Sequence, residues 1–152
     1  MFNLIQSYTH WLHGQWPAVL VEKLPLLNAD GTTSLKGCYV VGDLTGIPLL
    51  KFSSHTGANA IKSICKEEDF KRRSSLEGVV DVAIVGGGVS GYAAALEAKK
   101  QGLSYTLIET SEPFSTIKNF PKGKPIFTFP SNMRPEGELN FDAQVDTREA
   151  LL

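Results

Sequence analysis

The chain has 152 residues, enough for roughly one domain, and 42% of them are hydrophobic, an ordinary share for a chain that buries a core. The formal net charge of −1 gives no basic field for nucleic acid, and no apolar run approaches the ~20 residues of a membrane span. We therefore expect a soluble domain whose partners include neither nucleic acid nor a membrane.

The first element is a predicted aromatic-rich helix from Phe2 to Trp16, because its apolar residues recur at spacings that share one helical face. His10 and His13 lie three residues apart, but no cysteine or acidic cluster accompanies them, so we predict no metal site here. The chain then runs extended to Leu27, and Asn28 to Gly31 is predicted to form a turn.

A Gly-Asp segment follows. Thr33 lies ten residues before Asp43, and the apolar run Cys38 to Val41 is predicted to be a buried strand, with Cys38 as a small core residue. An aspartate just past a buried strand can accept a hydrogen bond from the ribityl chain of FAD, with Gly42 leaving room for the cofactor. A strand that simply ends in a Gly-Asp turn is the more common case, so the segment needs support from elsewhere.

The next stretch contains a predicted helix and a predicted linker. Residues 57–64 have a helical pattern, and residues 66–80 form a charged stretch. We expect three parts: residues 1–65 with the Gly-Asp segment, the linker 66–80, and residues 81–152 with a dinucleotide-binding unit.

A glycine-rich loop carries the strongest signal. The apolar strand Val82 to Val85 runs into a G-x-G-x-x-G pattern, a helix is predicted from Tyr92 to Gln101, and a second strand, Tyr105 to Ile108, ends at Glu109. The predicted cofactor-binding residues of the loop are consecutive: Gly86, Gly87, Gly88, Val89, Ser90 and Gly91.

Each part of this pattern has a physical task in binding a dinucleotide. Gly86 permits the tight turn, Gly88 lets the backbone approach a pyrophosphate, and Gly91 lets the helix pack closely, while the helix N-terminus offers free N–H groups. Glu109 can accept hydrogen bonds from ribose hydroxyls and repels a 2′-phosphate, which disfavours NADP. The loop alone leaves FAD and NAD as alternatives.

The two motifs together point to FAD. Thr33 through Gly42-Asp43 resembles the second flavin motif of thioredoxin-reductase-like pyridine-nucleotide-disulfide oxidoreductases, which have two dinucleotide-binding domains. This resemblance implies FAD as cofactor, NAD(P)H as electron donor, and a nicotinamide-binding domain or redox partner that this chain does not contain. It also implies an α/β fold with a Rossmann-like parallel sheet and a βαβ unit.

The order of the motifs differs from that family, in which the glycine loop opens the flavin domain and the Gly-Asp strand closes it. Either the chain joins the tail of one unit to the start of another, as in a fragment or tandem fusion, or the flavin domain is incomplete or circularly permuted. In the permuted arrangement Cys38 to Val41 pairs beside Val82 to Val85, with the Val82 strand central in the sheet. We favour this pairing because a buried strand needs a sheet to join.

After Glu109 the chain is rich in proline and phenylalanine. Residues 118–122 and 126–130 resemble the corresponding segment of bacillithiol-reductase-like members, where it wraps the flavin side of the cofactor; a surface loop with aromatic anchors is an equal alternative. A final helix is predicted within Asp142 to Leu152, with Asp146 or Thr147 as its N-cap.

We therefore expect the FAD-binding portion of an NAD(P)H-dependent flavoprotein oxidoreductase. No residue qualifies as a general acid or base, so no catalytic residue is predicted. The alternative is a non-catalytic module that binds NAD or FAD. The two cysteines, Cys38 and Cys65, form no C-x-x-C pair, which suits a reducing cytoplasm.

Overall fold

The computed structural model describes residues 4–8, 25–73, 76–126, 128–139, 141 and 148–152. Residues 4–8 are helical. The elements that follow are a 3-10 helix (Gly42–Thr45), helix α1 (Leu50–Lys66), helix α2 (Glu68–Lys71), strand β1 (Val82–Val85), helix α3 (Val89–Lys100), strand β2 (Tyr105–Ile108), helix α4 (Ser115–Lys118) and helix α5 (Arg148–Leu151). No helix in these ranges has both the length and the hydrophobicity needed to cross a membrane.

Strands β1 and β2 form a small parallel sheet. Their register pairs Val82 with Tyr105 and Val85 with Ile108. The strands run parallel because the chain between them passes through α3 and returns to the same end of the sheet. The expected parallel pairing is confirmed, but the prediction that the Val82 strand is central is wrong, since within the described residues β1 pairs only with β2.

Among the described residues, helix α3 covers one face of this sheet. Ile84 is buried and packs in a cluster with Ala94, Ala95 and Ala98 of α3. The alternate residue Val85 is 83% exposed, and its partner Ile108 is 52% exposed. Because successive side chains of a strand point to opposite faces, Ile84 faces α3 and Val85 lies on the opposite face.

Helix α1 lies against α3 and completes the core. Its buried residues Ala58 and Ile61 face the alanine-rich side of α3, and Ile61 belongs to the same cluster as Ile84. Small side chains on both helices allow their backbones to approach closely. The predicted helix over residues 57–64 is confirmed, and it is part of a longer helix that begins at Leu50.

The predicted strand Cys38 to Val41 does not exist in the sheet. Tyr39 instead makes an isolated antiparallel bridge to Thr32, and the Val40 N–H donates to the Gly31 carbonyl at 2.9 Å. The backbone of this short apolar run is hydrogen-bonded across its own turn and does not pair with the distant β1. Cys38 is exposed, so its assignment as a core residue was also wrong.

Several predictions concern the ends and the middle of the chain. The predicted turn over Asn28 to Gly31 is confirmed by a 3.0 Å bond from the Gly31 N–H to the Asn28 carbonyl. Most of the predicted N-terminal helix, with His10 and His13, lies outside the described residues, as do the candidate N-caps Asp146 and Thr147. The predicted linker 66–80 contains α2, and the three-part division of the chain stays a prediction.

Candidate functional site

The glycine-rich loop connects the end of β1 to the start of α3. Gly86 has φ +104°, a conformation that side chains rarely adopt, and its N–H donates to the Ile108 carbonyl at 2.8 Å. A Cβ on Gly91 would lie 1.9 Å from the Gly86 carbonyl oxygen. Both glycines are therefore required by the turn itself and by the close packing of α3 against it.

Gly88 differs from these two glycines because neither a positive φ nor a close contact within the described residues requires a glycine there. A Cβ added there would have no atom of the described residues within 4 Å, and Gly88 borders a cavity. It is also the N-cap residue of α3, where no described side chain caps the helix. The first N–H groups of α3 have no intrahelical acceptor and carry the positive end of the helix dipole, so they can bind an anion.

Glu109 lies directly after β2 and faces the loop. Its Oε2 accepts the Gly87 N–H at 2.5 Å, and its Oε1 accepts the N–H groups of Thr110 at 2.8 Å and Ser111 at 3.0 Å. These bonds, the one from Gly87 above all, lower the pKa of Glu109 from 4.5 to about 2. The carboxylate is thus charged at neutral pH, and Oε2 can accept a second donor such as a ribose hydroxyl.

The Gly-Asp segment is held by the first turns of α1. The Ser53 hydroxyl donates to Asp43 Oδ1 at 2.7 Å, and the Gly42 N–H donates to the Thr56 hydroxyl at 2.9 Å. The Thr45 hydroxyl closes the 3-10 turn by donating to the Gly42 carbonyl at 2.8 Å. Asp43 is exposed at the end of this hydrogen-bonded support, where a carboxylate oxygen can accept a hydrogen bond from a ligand.

The Gly-Asp segment and the glycine loop touch at Ser90. A Cβ on Gly42 would lie 2.6 Å from Ser90 Oγ, and Gly42 has φ +75°. A Cβ on Gly57 of α1 would lie 2.1 Å from the Ser90 carbonyl oxygen. Two glycines that are far apart in sequence from the loop therefore allow both the Gly-Asp segment and α1 to approach it.

These approaches enclose a cavity of about 410 Å³. Its lining residues come from the Gly-Asp segment and the start of α1, from the glycine loop, and from the chain after β2: Val41, Asp43, Leu44, Pro48, Leu50, Ser53, Val85, Gly86, Gly88, Val89, Ser90, Glu109, Phe114, Ser115, Thr116, Ile117 and Phe120. The cavity joins an apolar wall to two carboxylates and a helix N-terminus. Such a site suits a ligand with both aromatic and phosphate groups.

Six of the nine predicted binding residues border this cavity, namely Asp43, Gly86, Gly88, Val89, Ser90 and Glu109. The other three act through the backbone. Gly87 donates its N–H to Glu109, while Gly42 and Gly91 permit the close contacts with Ser90 and Gly86. Their roles in binding a ligand stay predictions.

Three residues of this region were not foreseen as part of a site. Ser53 orients Asp43, Gly57 seats α1 on the loop, and Phe114 borders the cavity. A glycine inside a predicted helix is a sign of close packing, so Gly57 carried a signal that could have been used. Ser53 and Phe114 carried none, because their roles depend on contacts with distant parts of the chain.

Comparison with known proteins supports a flavin site. The family model described as an FAD binding domain matches residues 81–133, which include β1, the glycine loop, α3, β2 and Glu109 but not Gly42-Asp43. No curated protein and no solved structure matches the chain. The matched region is similar to an FAD-binding flavoprotein region, and the parallel pair of strands with its helix fits an α/β FAD-binding unit.

The geometry agrees with this match. The open space at Gly88 lies beside the N-terminus of α3, where a pyrophosphate would find N–H donors and, among the described residues, no side chain. Glu109 and Asp43 border the same cavity, and a carboxylate can accept a hydrogen bond from a hydroxyl group. The residues present therefore fit FAD, whose two halves carry hydroxyl groups on both sides of the pyrophosphate.

Proposed function

We propose that this chain forms the FAD-binding part of an NAD(P)H-dependent flavoprotein oxidoreductase of the thioredoxin-reductase-like type. The observation that carries the proposal is the shared cavity of Asp43 and the glycine loop. The two motifs are distant in sequence and occur in the reverse of the family's order, and contacts at Ser90 bring them to one site. A single FAD would satisfy both.

Each residue has a defined task in this proposal. The N–H groups at the start of α3 bind the pyrophosphate in the space left by Gly88, Glu109 accepts the hydroxyls of the adenosine ribose, and Asp43 accepts a hydroxyl of the ribityl chain. FAD, when bound, supplies the redox chemistry. The protein contributes position and electrostatics, and β1, α3 and β2 serve as the Rossmann-type unit.

The electron donor and acceptor lie outside these residues. NAD(P)H is the proposed donor, delivered by a nicotinamide-binding domain or a separate redox protein, and the acceptor is open. The free cysteines Cys38 and Cys65 suit a reducing cytoplasm as the place of action. We propose that the two motifs form one circularly permuted site. In this arrangement they contact each other at Ser90, without the expected strand pairing.

The test is a calorimetric titration of the purified chain with FAD and with NAD. We expect FAD to bind and its absorbance to remain after desalting. Gly88→Val should abolish binding without unfolding the chain, because the new side chain occupies the open space beside α3. Ala83→Val is the matched control, since Ala83 is exposed on β1 and does not border the cavity.

Three outcomes would contradict the proposal. Binding of neither dinucleotide would remove the site, and binding of NAD alone would favour the non-catalytic module. If wild type and Gly88→Val bind FAD with equal affinity, the ligand does not bind at the glycine loop.

A further inference from the structure

Phe114 has an unusual backbone conformation. Its φ of 56° and ψ of 28° place it in the left-handed region. Among the described residues, no other residue except glycine has a positive φ. A bulky side chain makes this conformation unfavourable, and glycine would adopt it freely. Such strain persists where surrounding contacts impose it, and it is common at ligand-binding sites.

The contacts that impose it tie Phe114 to the glycine loop. Its N–H donates to the Gly87 carbonyl at 2.8 Å, and its carbonyl accepts the Lys118 N–H of α4 at 2.9 Å. Its ring packs on Tyr92 of α3, with centroids 4.5 Å apart and an interplanar angle of 32°. Phe114 therefore cannot move independently of the loop and the helix that follows it.

The backbone of Gly87 connects Phe114 to Glu109. The Gly87 N–H binds the Glu109 carboxylate, while its carbonyl binds the Phe114 N–H. Both side chains border the same cavity as Gly88, and Phe114 is only half-buried. Gly87 thus binds the Glu109 carboxylate through its N–H and the Phe114 backbone through its carbonyl, next to the open space at the start of α3.

We propose that Phe114 is a ligand-binding residue whose ring packs against the adenosine half of the ligand. The inference rests on the proposed FAD site, in which Glu109 binds the adenosine ribose. A ring that borders the same cavity as that carboxylate offers the base a flat apolar surface, and stacking of a base on an aromatic side chain is a major source of affinity. The strained backbone is retained because the ring is needed at this place.

A structural role for the ring is the competing explanation. Phe114 also packs against the cluster of Val89, Ile117 and Phe141, so its loss could act through stability alone. Phe114→Leu keeps an apolar side chain of similar reach but removes the flat ring, whereas Phe114→Tyr keeps the ring. If the two variants are equally stable but only Phe114→Leu loses affinity, the ring contacts the ligand and does not act through packing alone.

The experiment titrates the whole chain and these variants with FAD and with ADP, and records thermal unfolding of each protein. Phe70→Leu is the matched control, because Phe70 lies on α2, outside the cavity, with its ring against Arg73. We expect Phe114→Leu to weaken FAD and ADP equally, by on the order of ten-fold, and Phe114→Tyr to bind like wild type. Phe70→Leu should bind both ligands normally.

Wild-type affinity of Phe114→Leu for both ligands would overturn the proposal, and so would a loss for FAD without a loss for ADP. If Phe114→Leu fails to fold, Phe114→Gly takes its place, since glycine relieves the backbone strain, and it must show the same equal loss. Failure of the wild-type chain to bind either ligand would instead overturn the proposed function, and this assignment with it.

Discussion

Gly57 of α1 lies directly against the backbone of Ser90 in the first turn of α3. A Cβ at Gly57 would come within 2.1 Å of the Ser90 carbonyl oxygen and 2.9 Å of its carbonyl carbon. The contact is therefore possible only for glycine. It places α1, and with it Ser53 and the attached Asp43, beside the glycine loop.

Gly57→Ala should destabilise the fold. Alanine inside a helix normally stabilises it by about 1 kcal/mol relative to glycine. Here the added methyl must push α1 away from α3, and overpacking of this kind costs about 1–3 kcal/mol. Urea unfolding measures the change, with Ser63→Ala in the same helix as the control. An increase in stability for Gly57→Ala would show that the two helices can separate freely.

Glu109 should make stability depend on pH. Its folded pKa of about 2 is below the ordinary 4.5, so its contribution is present above pH 4.5 and is lost as the pH falls toward 2. We expect wild type to lose more stability than Glu109→Gln between neutral pH and about pH 3. Parallel urea titrations at the two pH values measure this difference. Identical losses would mean that the Gly87 N–H does not stabilise the charged carboxylate.

Asp43 and Ser53 should affect FAD affinity to different extents. Asp43→Ala removes a charge-assisted hydrogen bond to the ligand worth about 1.5–3 kcal/mol. Ser53→Ala leaves the carboxylate in place but removes the hydroxyl that orients it, so its effect should be smaller. Calorimetry with FAD measures both, and Asp69→Ala, an exposed acid bonded to Lys36, is the control. Unchanged affinity in Asp43→Ala would separate the Gly-Asp segment from the cofactor.

Glu97→Met should stabilise the protein. Glu97 is 1% exposed on α3; its Oε1 accepts the Gln101 amide at 2.7 Å, but Oε2 has no hydrogen-bond partner in the described part of the chain. An unsatisfied buried polar atom costs about 1–3 kcal/mol, and methionine fills a similar volume without it. Thermal and urea unfolding test this, with the exposed Glu112→Met as control. A loss of stability would indicate that Oε2 has a bound partner in solution.

Much of the site could be predicted because its signals are local. Gly86, Gly88 and Gly91 are within one short loop, and Glu109 follows the next apolar strand, so sequence spacing alone places them around β1, α3 and β2. Backbone geometry leaves few alternatives for such a pattern. The parallel pairing of the two strands follows from the helix between them.

The rest depended on contacts between distant residues. An apolar run such as Cys38 to Val41 predicts a strand, but a strand exists only where a partner backbone is in reach, and Tyr39 found Thr32 in its own turn. The Gly-Asp segment reached the glycine loop through Ser90, by way of Gly42 and Gly57. A glycine within a helix indicates close packing, but the local sequence does not say which distant residue packs against it. Phe114 is in the left-handed region for the same reason. Its conformation is imposed by Gly87 and Tyr92, and phenylalanine has no such preference of its own.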